Sequence, residues 1–537
     1  MNSRKGAIQF VWLAARCLGR FDPPTRIHRL VMDNLLFAIF YAFPYVAAVI
    51  AAICIVVLGG LALKAPWIVM LPFLTVLFWL SANRFGQLDV DSGASLINRG
   101  AGVLLFPALL WSMLVALAWT RLGAALRKHA APPPMVPLTP WFAGWALLLL
   151  AHVVVGTLFD VPVRQTLSPA GFSLVVWLWV LIAVMVASVT RPTDARRLLW
   201  FIIMMGLARA LYGLARFAAF GGDPANAYAN RQGLTLKLTF FDINDSLLCV
   251  LSICLALVML YRDVPARGWF GWQKMLLWAA VALPALCVVL SFRRTAWVGM
   301  VLALGFVLLQ LPARVRWRLV LMAMPVMLVG IGYAAWKRLS QIRGGSGGFL
   351  YDFEARAVGA ESLRVLELKL AWQSFLDSPI FGVGSWGGYK GWQSISWQHE
   401  FGEGGGGTFL HSGVLHLALK TGLIGLVLLA GTAIAFILAW RRMRNTLPPA
   451  ALPLAVAGVA GVLFMMPDWL IGTPIPQVRT MMMLGLCLSL PFVAERCFSK
   501  QALLAAAALH PAPSGLPRYR GARPAAASRL AARIAVR

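Results

Sequence analysis

The chain alternates long apolar runs with short polar connections. Runs near the length that crosses a bilayer, about 20 residues, cover 35–62, 66–82, 101–119, 141–159, 171–190, 197–219, 245–261, 275–291, 295–311, 317–336, 422–440, 450–472 and 479–495. Several contain glycine or proline, which membrane helices tolerate because their neighbours satisfy the freed backbone groups. The alternation stops at 337–421. This segment is rich in glycine (Gly344, Gly345, Gly347, Gly348, then Gly404 through Gly407) and holds several tryptophans. It is too long for a plain connection, and long structured loops usually carry function. Within it, 361–376 (ESLRVLELKLAWQSFL) predicts a helix. Leu363, Leu366, Leu370 and Trp372 fall on one face at roughly 3.6 spacing, and Asp377-Ser378-Pro379 ends it at a proline.

Composition agrees with the pattern. Of 537 residues, 60% are hydrophobic and 12% charged, against about 25% charged in soluble domains. Mean hydropathy is +0.77. A soluble enzyme, a disordered chain and a disulfide-built secreted domain are excluded as classes. No CxxC pair occurs, so neither zinc nor structural disulfides are expected. The first thirty residues are basic and too polar for a cleaved signal peptide.

The 48 Lys and Arg outnumber the 19 Asp and Glu, giving a net charge of +29. In a soluble chain this would suggest nucleic acid. In a membrane chain, basic residues gather in cytoplasmic connections and set orientation, so no nucleic-acid partner is expected. The connectors 191–197, 262–274, 314–318 and 441–444 fit that rule, and they alternate correctly to the C-terminus. The tail, with Lys500, Arg518, Arg520, Arg523, Arg529, Arg533 and Arg537, belongs near anionic lipid headgroups. Thirteen spans would put the basic N-terminus outside, so about 12 are expected, one candidate before residue 160 not crossing fully. The predicted fold is therefore an all-α polytopic membrane protein. A basic cytoplasmic N-terminus (1–34) precedes transmembrane helices over 35–336. A large, partly helical loop on the outer face (337–421) leads to further helices (422–495) and a disordered basic cytoplasmic tail (496–537).

Four places on the expected outer side carry chemistry. In Ser291-Phe292-Arg293-Arg294-Thr295, two arginines occupy a very short connection. A guanidinium near the bilayer needs a partner, and a diphosphate suits its planar fork; the alternative is that both snorkel to headgroups. Arg364 lies on the loop helix, where an ion pair with Glu361 or Glu367 is the simpler reading. His411, in Thr408-Phe409-Leu410-His411-Ser412-Gly413, can exchange a proton near neutral pH. His416 competes with it, and spacing does not choose. Last, Asn230-Arg231-Gln232-Gly233 precedes Asp242-Ile243-Asn244-Asp245 at the head of the next span; the alternative is an ordinary polar loop. There is no Walker loop, HExxH motif, catalytic carboxylate pair or metal-holding acidic cluster. An enzyme here is expected to work without metal or cofactor and without a soluble activated sugar.

Taken in order, these pieces resemble the O-antigen ligase and polymerase superfamily over roughly 197–440. They are Arg294-Thr295-Ala296-Trp297, the helix led by Leu363-Arg364, the turn Asp377-Ser378-Pro379-Ile380-Phe381-Gly382-Val383-Gly384, His411, and Gly422-Leu423-Ile424-Gly425-Leu426. The family often has His-Asn where this chain has His411-Ser412, and Pro-Asn where it has Ile243-Asn244. The resemblance implies a GT-C-like glycosyltransferase of the bacterial inner membrane with its active site facing the periplasm. Its donor would be a polyprenyl-diphosphate-linked oligosaccharide. Its acceptor would be the lipid A core in a ligase, or another lipid-linked glycan in an O-antigen or exopolysaccharide polymerase. Arg294 and Arg364, with Arg231, Arg293 and Asn244 binding substrate, would stabilise the leaving diphosphate. His411 would accept the acceptor's proton, and displacement would invert the anomeric centre. A lipid-linked glycan flippase is the rival from another class, with Arg209 and Arg216 facing an anionic lipid.

Overall fold

In the computed structural model the described residues are 57, 60, 65–79, 108–126, 136–220, 242–262, 271–291, 293–341, 360–395 and 407–499. Two compact units divide the chain, 1–61 and 62–537, and every element below belongs to the second. The N-terminal basic segment, all of the 35–62 run but residues 57 and 60, Arg231 and the C-terminal tail from residue 500 lie outside the described residues.

The described elements are helices: α1 (Met70–Trp79), α2 (Ala108–Leu126), α3 (Thr139–Leu158), the one-turn α4 (Val163–Thr166), α5 (Ser173–Ser188), α6 (Pro192–Phe220), α7 (Ile243–Arg262), α8 (Gly271–Leu290), α9 (Arg294–Gln310), α10 (Ala313–Gln341), α11 (Ala360–Asp377), α12 (Gly413–Thr446), α13 (Leu452–Ile471) and α14 (Val478–Phe498). No strand occurs among the described residues. Seven helical stretches among them are long and apolar enough to cross a bilayer: Thr139–Leu158, Pro192–Ala219, Ile243–Tyr261, Gly271–Leu290, Gly413–Thr446, Pro449–Ile471 and Val478–Phe498. The protein is a multi-pass membrane protein.

Helix α7 stands at the centre. Leu247, Leu248, Val250, Leu251, Ile253 and Leu255 are all at 1% exposure or below, as expected of a helix apolar on every side. It packs against α6, α8 and α13. Around it α9, α13 and α14 approach closely through small residues, the usual device where lipid removes the hydrophobic drive between helices. A Cβ on Gly299 would lie 2.3 Å from the Phe464 carbonyl, and one on Gly461 2.4 Å from Cys487 Sγ. By contrast, α3 turns Leu147, Leu150 and Val154 outward.

Contacts sort the helix ends. Arg442 pairs with Glu495 at 2.8 Å, Arg496 donates to the Val186 carbonyl, and Cys497 meets Val189. The ends of α5, α12 and α14 therefore share one end of the bundle, close to the basic connectors 191–197 and 441–444. The heads of α7, α9, α12 and α14 gather at the other.

Helix α12 begins nine residues before the expected 422–440 span. Unbroken, its 34 residues would reach about 51 Å, well beyond a hydrocarbon core of ~30 Å. It breaks at Gly422 (φ 63, ψ −156). Residues 413–421 thus form a separate section ahead of the apolar helix proper.

Candidate functional site

The break in α12 is filled by the turn that follows α11. Gly382 (φ 71) and Gly422 both occupy the left-handed region. A Cβ on Gly382 would fall 2.4 Å from the Leu419 carbonyl, and one on Gly422 2.2 Å from the Ile380 carbonyl. Only glycine allows the two backbones to cross this closely. Main-chain bonds close the crossing: Val383 N donates to Leu419 O (2.8 Å) and Leu423 N to Pro379 O (2.7 Å). The turn is also fixed from α3, where His152 Nδ1 accepts from Ser385 N at 3.1 Å while Ser385 Oγ donates to Thr166 O at 2.6 Å. Gly425 completes the Gly-Leu-Ile-Gly pattern by giving room to Thr421 and Trp145.

This joint sets α11 beside the first section of α12. Glu367, at the middle of α11, is fully buried. Its Oε2 accepts from the His411 backbone N–H at 3.2 Å and lies 2.8 Å from His411 Nδ1. The ring is held by two further features. Phe409 meets it edge-on, with centroids 5.3 Å apart, and Ser412 N-caps α12 by accepting from Leu415 N. Asparagine and serine are equivalent caps, so Ser412 does the local work of the Asn more usual at that position. An ionised Glu367 accepts the Nδ1 proton and leaves Nε2 as the basic nitrogen. The His411 side chain keeps 19% exposure, enough for contact from outside. Arg364 sits one turn before Glu367, half-buried, so its side chain projects along the same part of α11.

His416 is different. It is fully buried, and its Nε2 lies 3.0 Å from the Gly171 carbonyl. Lys420, also fully buried, donates to the Gly387 carbonyl. Both hold this first section of α12 against its neighbours.

The second arginine group lies at the head of α9. Arg293 is the N-cap and Arg294 the first helical residue, without a side-chain cap. Cations at a helix N-terminus oppose the macrodipole, so local helix electrostatics give no reason for them, whereas an anion is welcome there. Arg293 interacts electrostatically with Asp468, near the end of α13, and Asp468 in turn with Asp242. Trp469 and Pro474 press on Gly413, two residues after His411. Arg293 and Gly413 therefore both lie beside the end of α13.

Asn244 and its neighbours form a third group. Asp242 Oδ1 caps α7, accepting from the backbone N–H of Asn244 and Asp245 at 2.8 Å each. Asp245 takes both Arg209 (3.0 and 3.1 Å) and Arg479 (2.8 Å), and Asp242 takes Arg479 at 2.9 Å. Arg479 also donates to the Leu77 and Phe78 carbonyls. Asn244 is buried and donates to Thr480 Oγ1 at 3.1 Å. This paired, buried network joins α1, α6, α7 and α14. It engages Arg209, which the flippase reading needs facing an anionic lipid.

Two expectations change. Trp372 does not join the apolar face of the loop helix: it is 50% exposed, and the buried line runs through Glu367, Ala371, Ser374 and Phe375. Glu367, expected as a surface partner of Arg364, is buried and pairs with His411 at 2.8 Å. A carboxylate set in line with Leu363 and Ala371, inside the apolar stripe, was the signal for it.

No match was found among curated proteins. Residues 279–430, which include α9, α10, α11, the crossing turn, His411 and the break in α12, match the family model described as O-antigen ligase, so that segment is similar to the O-antigen ligase superfamily.

Proposed function

We propose that the protein transfers a glycan from a polyprenyl diphosphate to an acceptor hydroxyl on the periplasmic face of the bacterial inner membrane. The observation that carries this reading is the His411–Glu367 pair at 2.8 Å, one helical turn from Arg364. The family match supports the broader assignment to cell-surface polysaccharide biosynthesis.

In the proposed reaction the acceptor oxygen attacks the anomeric carbon of the donor. The new glycosidic C–O bond forms as the sugar–phosphate C–O bond breaks, and the bonding pair leaves on the diphosphate. His411 Nε2 takes the hydroxyl proton, and Glu367 stabilises the imidazolium that results. Arg364 and Arg294, with Arg293 and Arg231, balance the charge growing on the diphosphate, so the step runs without metal. A single displacement inverts the anomeric centre. Asn244, held at the head of α7 by its bond to Thr480, is the remaining substrate-binding residue of this reading.

The test is transfer from a purified lipid-linked donor by protein reconstituted in membranes. His411→Ala and Arg364→Ala are each expected to lower turnover by about 10²-fold or more; wild-type turnover in both would sink the assignment. Ligase and polymerase separate by gene deletion. A ligase is expected to leave lipid A without long-chain polymer. An O-antigen polymerase leaves a single capped repeat, and an exopolysaccharide polymerase loses the secreted polymer.

A further inference from the structure

The outer segment has a feature the proton transfer does not use. Gly388, Tyr389, Lys390, Gly391, Trp392 and Gln393 line an open cleft of about 440 Å³, within the ~300–1,000 Å³ of small-ligand pockets. Gly391 takes φ 77, so the chain turns sharply there. Tyr389 is buried and Trp392 half-buried, while Lys390 and Gln393 are exposed. The indole is held from behind by a small core of Ala371, Tyr389, Ile395, Leu410 and Leu419. Its side against Gly407 is close enough that a Cβ there would sit 2.9 Å from Trp392 Cδ1.

A fixed aromatic wall with exposed polar donors at its rim suits a sugar. The ring face is electron-rich and takes the C–H face of a pyranose. The Gln393 amide and Lys390 ammonium reach hydroxyls or a sugar carboxylate. The Lys390–Asp377 contact at 2.7 Å is largely exposed on both sides and is easily exchanged. An acyl chain would want an apolar groove throughout, which this cleft is not.

Position indicates which sugar. Tyr389 N donates to Gly407 O at 3.1 Å, and Gly407 precedes His411 by four residues, at most about 14 Å of chain. The cleft thus lies on the stretch of chain that bears the proton acceptor. We infer that it holds a sugar of the acceptor glycan next to the one attacked; this rests on the glycosyl-transfer reading above.

The experiment is saturation-transfer NMR on the full chain in lipid nanodiscs. The two soluble probes are the delipidated core oligosaccharide of lipopolysaccharide and a delipidated repeat oligosaccharide. At least one is expected to bind wild type. Trp392→Ala should weaken that binding about tenfold, the loss of one stacked ring, and Gln393→Ala should weaken it less. Trp392→Phe should restore most of it, and Trp372→Ala, an exposed aromatic on α11, should leave it unchanged. In the transfer assay Gln393→Ala should raise the acceptor KM with kcat retained. Because Trp392 also packs on the loop core, the exposed Gln393 and Lys390 variants keep the inference open to refutation. Binding of neither glycan, or equal binding in wild type and all cleft variants, overturns it. Trp392-dependent glycan binding by a protein that transfers nothing would keep the sugar site and remove the transferase reading.

Discussion

Glu367→Gln isolates the contribution of charge at the proposed base. The side chain keeps its size, and Glu367 is fully buried, so solvent does not replace what is lost. If the amide oxygen still faces Nδ1–H, the 2.8 Å contact falls from a charge-assisted bond of about 1.5–3 kcal/mol to a neutral one of about 0.5–1.5 kcal/mol. The difference, about 1–1.5 kcal/mol, weighs on the imidazolium formed during transfer and lowers kcat about tenfold. If the amide NH₂ turns to Nδ1 instead, the ring must carry its proton on Nε2 and loses its basic nitrogen on the open side. The loss then approaches the full worth of a general base, about 10²–10⁴-fold. In the first case stability should hold or rise, because an uncharged group costs less to bury; in the second the His411 backbone N–H, which shares Oε2 at 3.2 Å, loses its acceptor and stability should fall by about 1–3 kcal/mol. The assay pairs single-turnover transfer from lipid-linked donor with thermal unfolding in the same nanodiscs. Wild-type kcat in Glu367→Gln, or a kcat loss that tracks a loss of folded protein, would refute the reasoning.

Three further outcomes follow from the geometry. Gly422→Ala puts a methyl 2.2 Å from the Ile380 carbonyl and adds about 1–2 kcal/mol of left-handed strain. It should free the 378–391 turn from α12, seen as new cleavage there in limited proteolysis. Asp245→Asn leaves Arg209 and Arg479 without their shared carboxylate, should cost about 3–5 kcal/mol, and should be read as a lowered unfolding temperature that Arg209→Met partly restores. His416→Gln keeps a donor for the Gly171 carbonyl, so it should cost about 1 kcal/mol of stability and preserve transfer, whereas His411→Gln should abolish transfer; equal activity in the two would contradict the choice between them.

Much of the fold was legible because membrane helices announce themselves by length and composition. The run 141–159 became Thr139–Leu158, and 479–495 became Val478–Phe498. The loop helix 361–376 became Ala360–Asp377, stopped where the proline stands. His411 was singled out by its motif, and the burial that distinguishes it from His416 is not encoded by spacing. The start of α12 was missed because 413–421 contains His416 and Lys420, two polar groups that look solvent-facing until their carbonyl partners are known. Glu367 was misread for a related reason. On a helix surface an acid is assigned to the nearest arginine, whereas its partner lies 44 residues away in sequence. The network around Asp242 and Asp245 was illegible because it is assembled from four separate helices.

That network also has a bearing on how the chain is built into the membrane. Arg209 and Asp245 are 36 residues apart and emerge almost together, so the first charge meets its counter-ion early. Arg479 comes 234 residues after Asp245 and 402 after Leu77. Until it arrives, the network itself holds Asp242, Asp245 and Arg209, two carboxylates and one guanidinium. Helix α14 therefore acts as a keystone: its arrival balances the charge of this network and ties it to α1. A chain terminated before Val478 would keep every apolar span ahead of that point and still be left with an uncompensated acid at its centre, a ready mark for quality control to recognise.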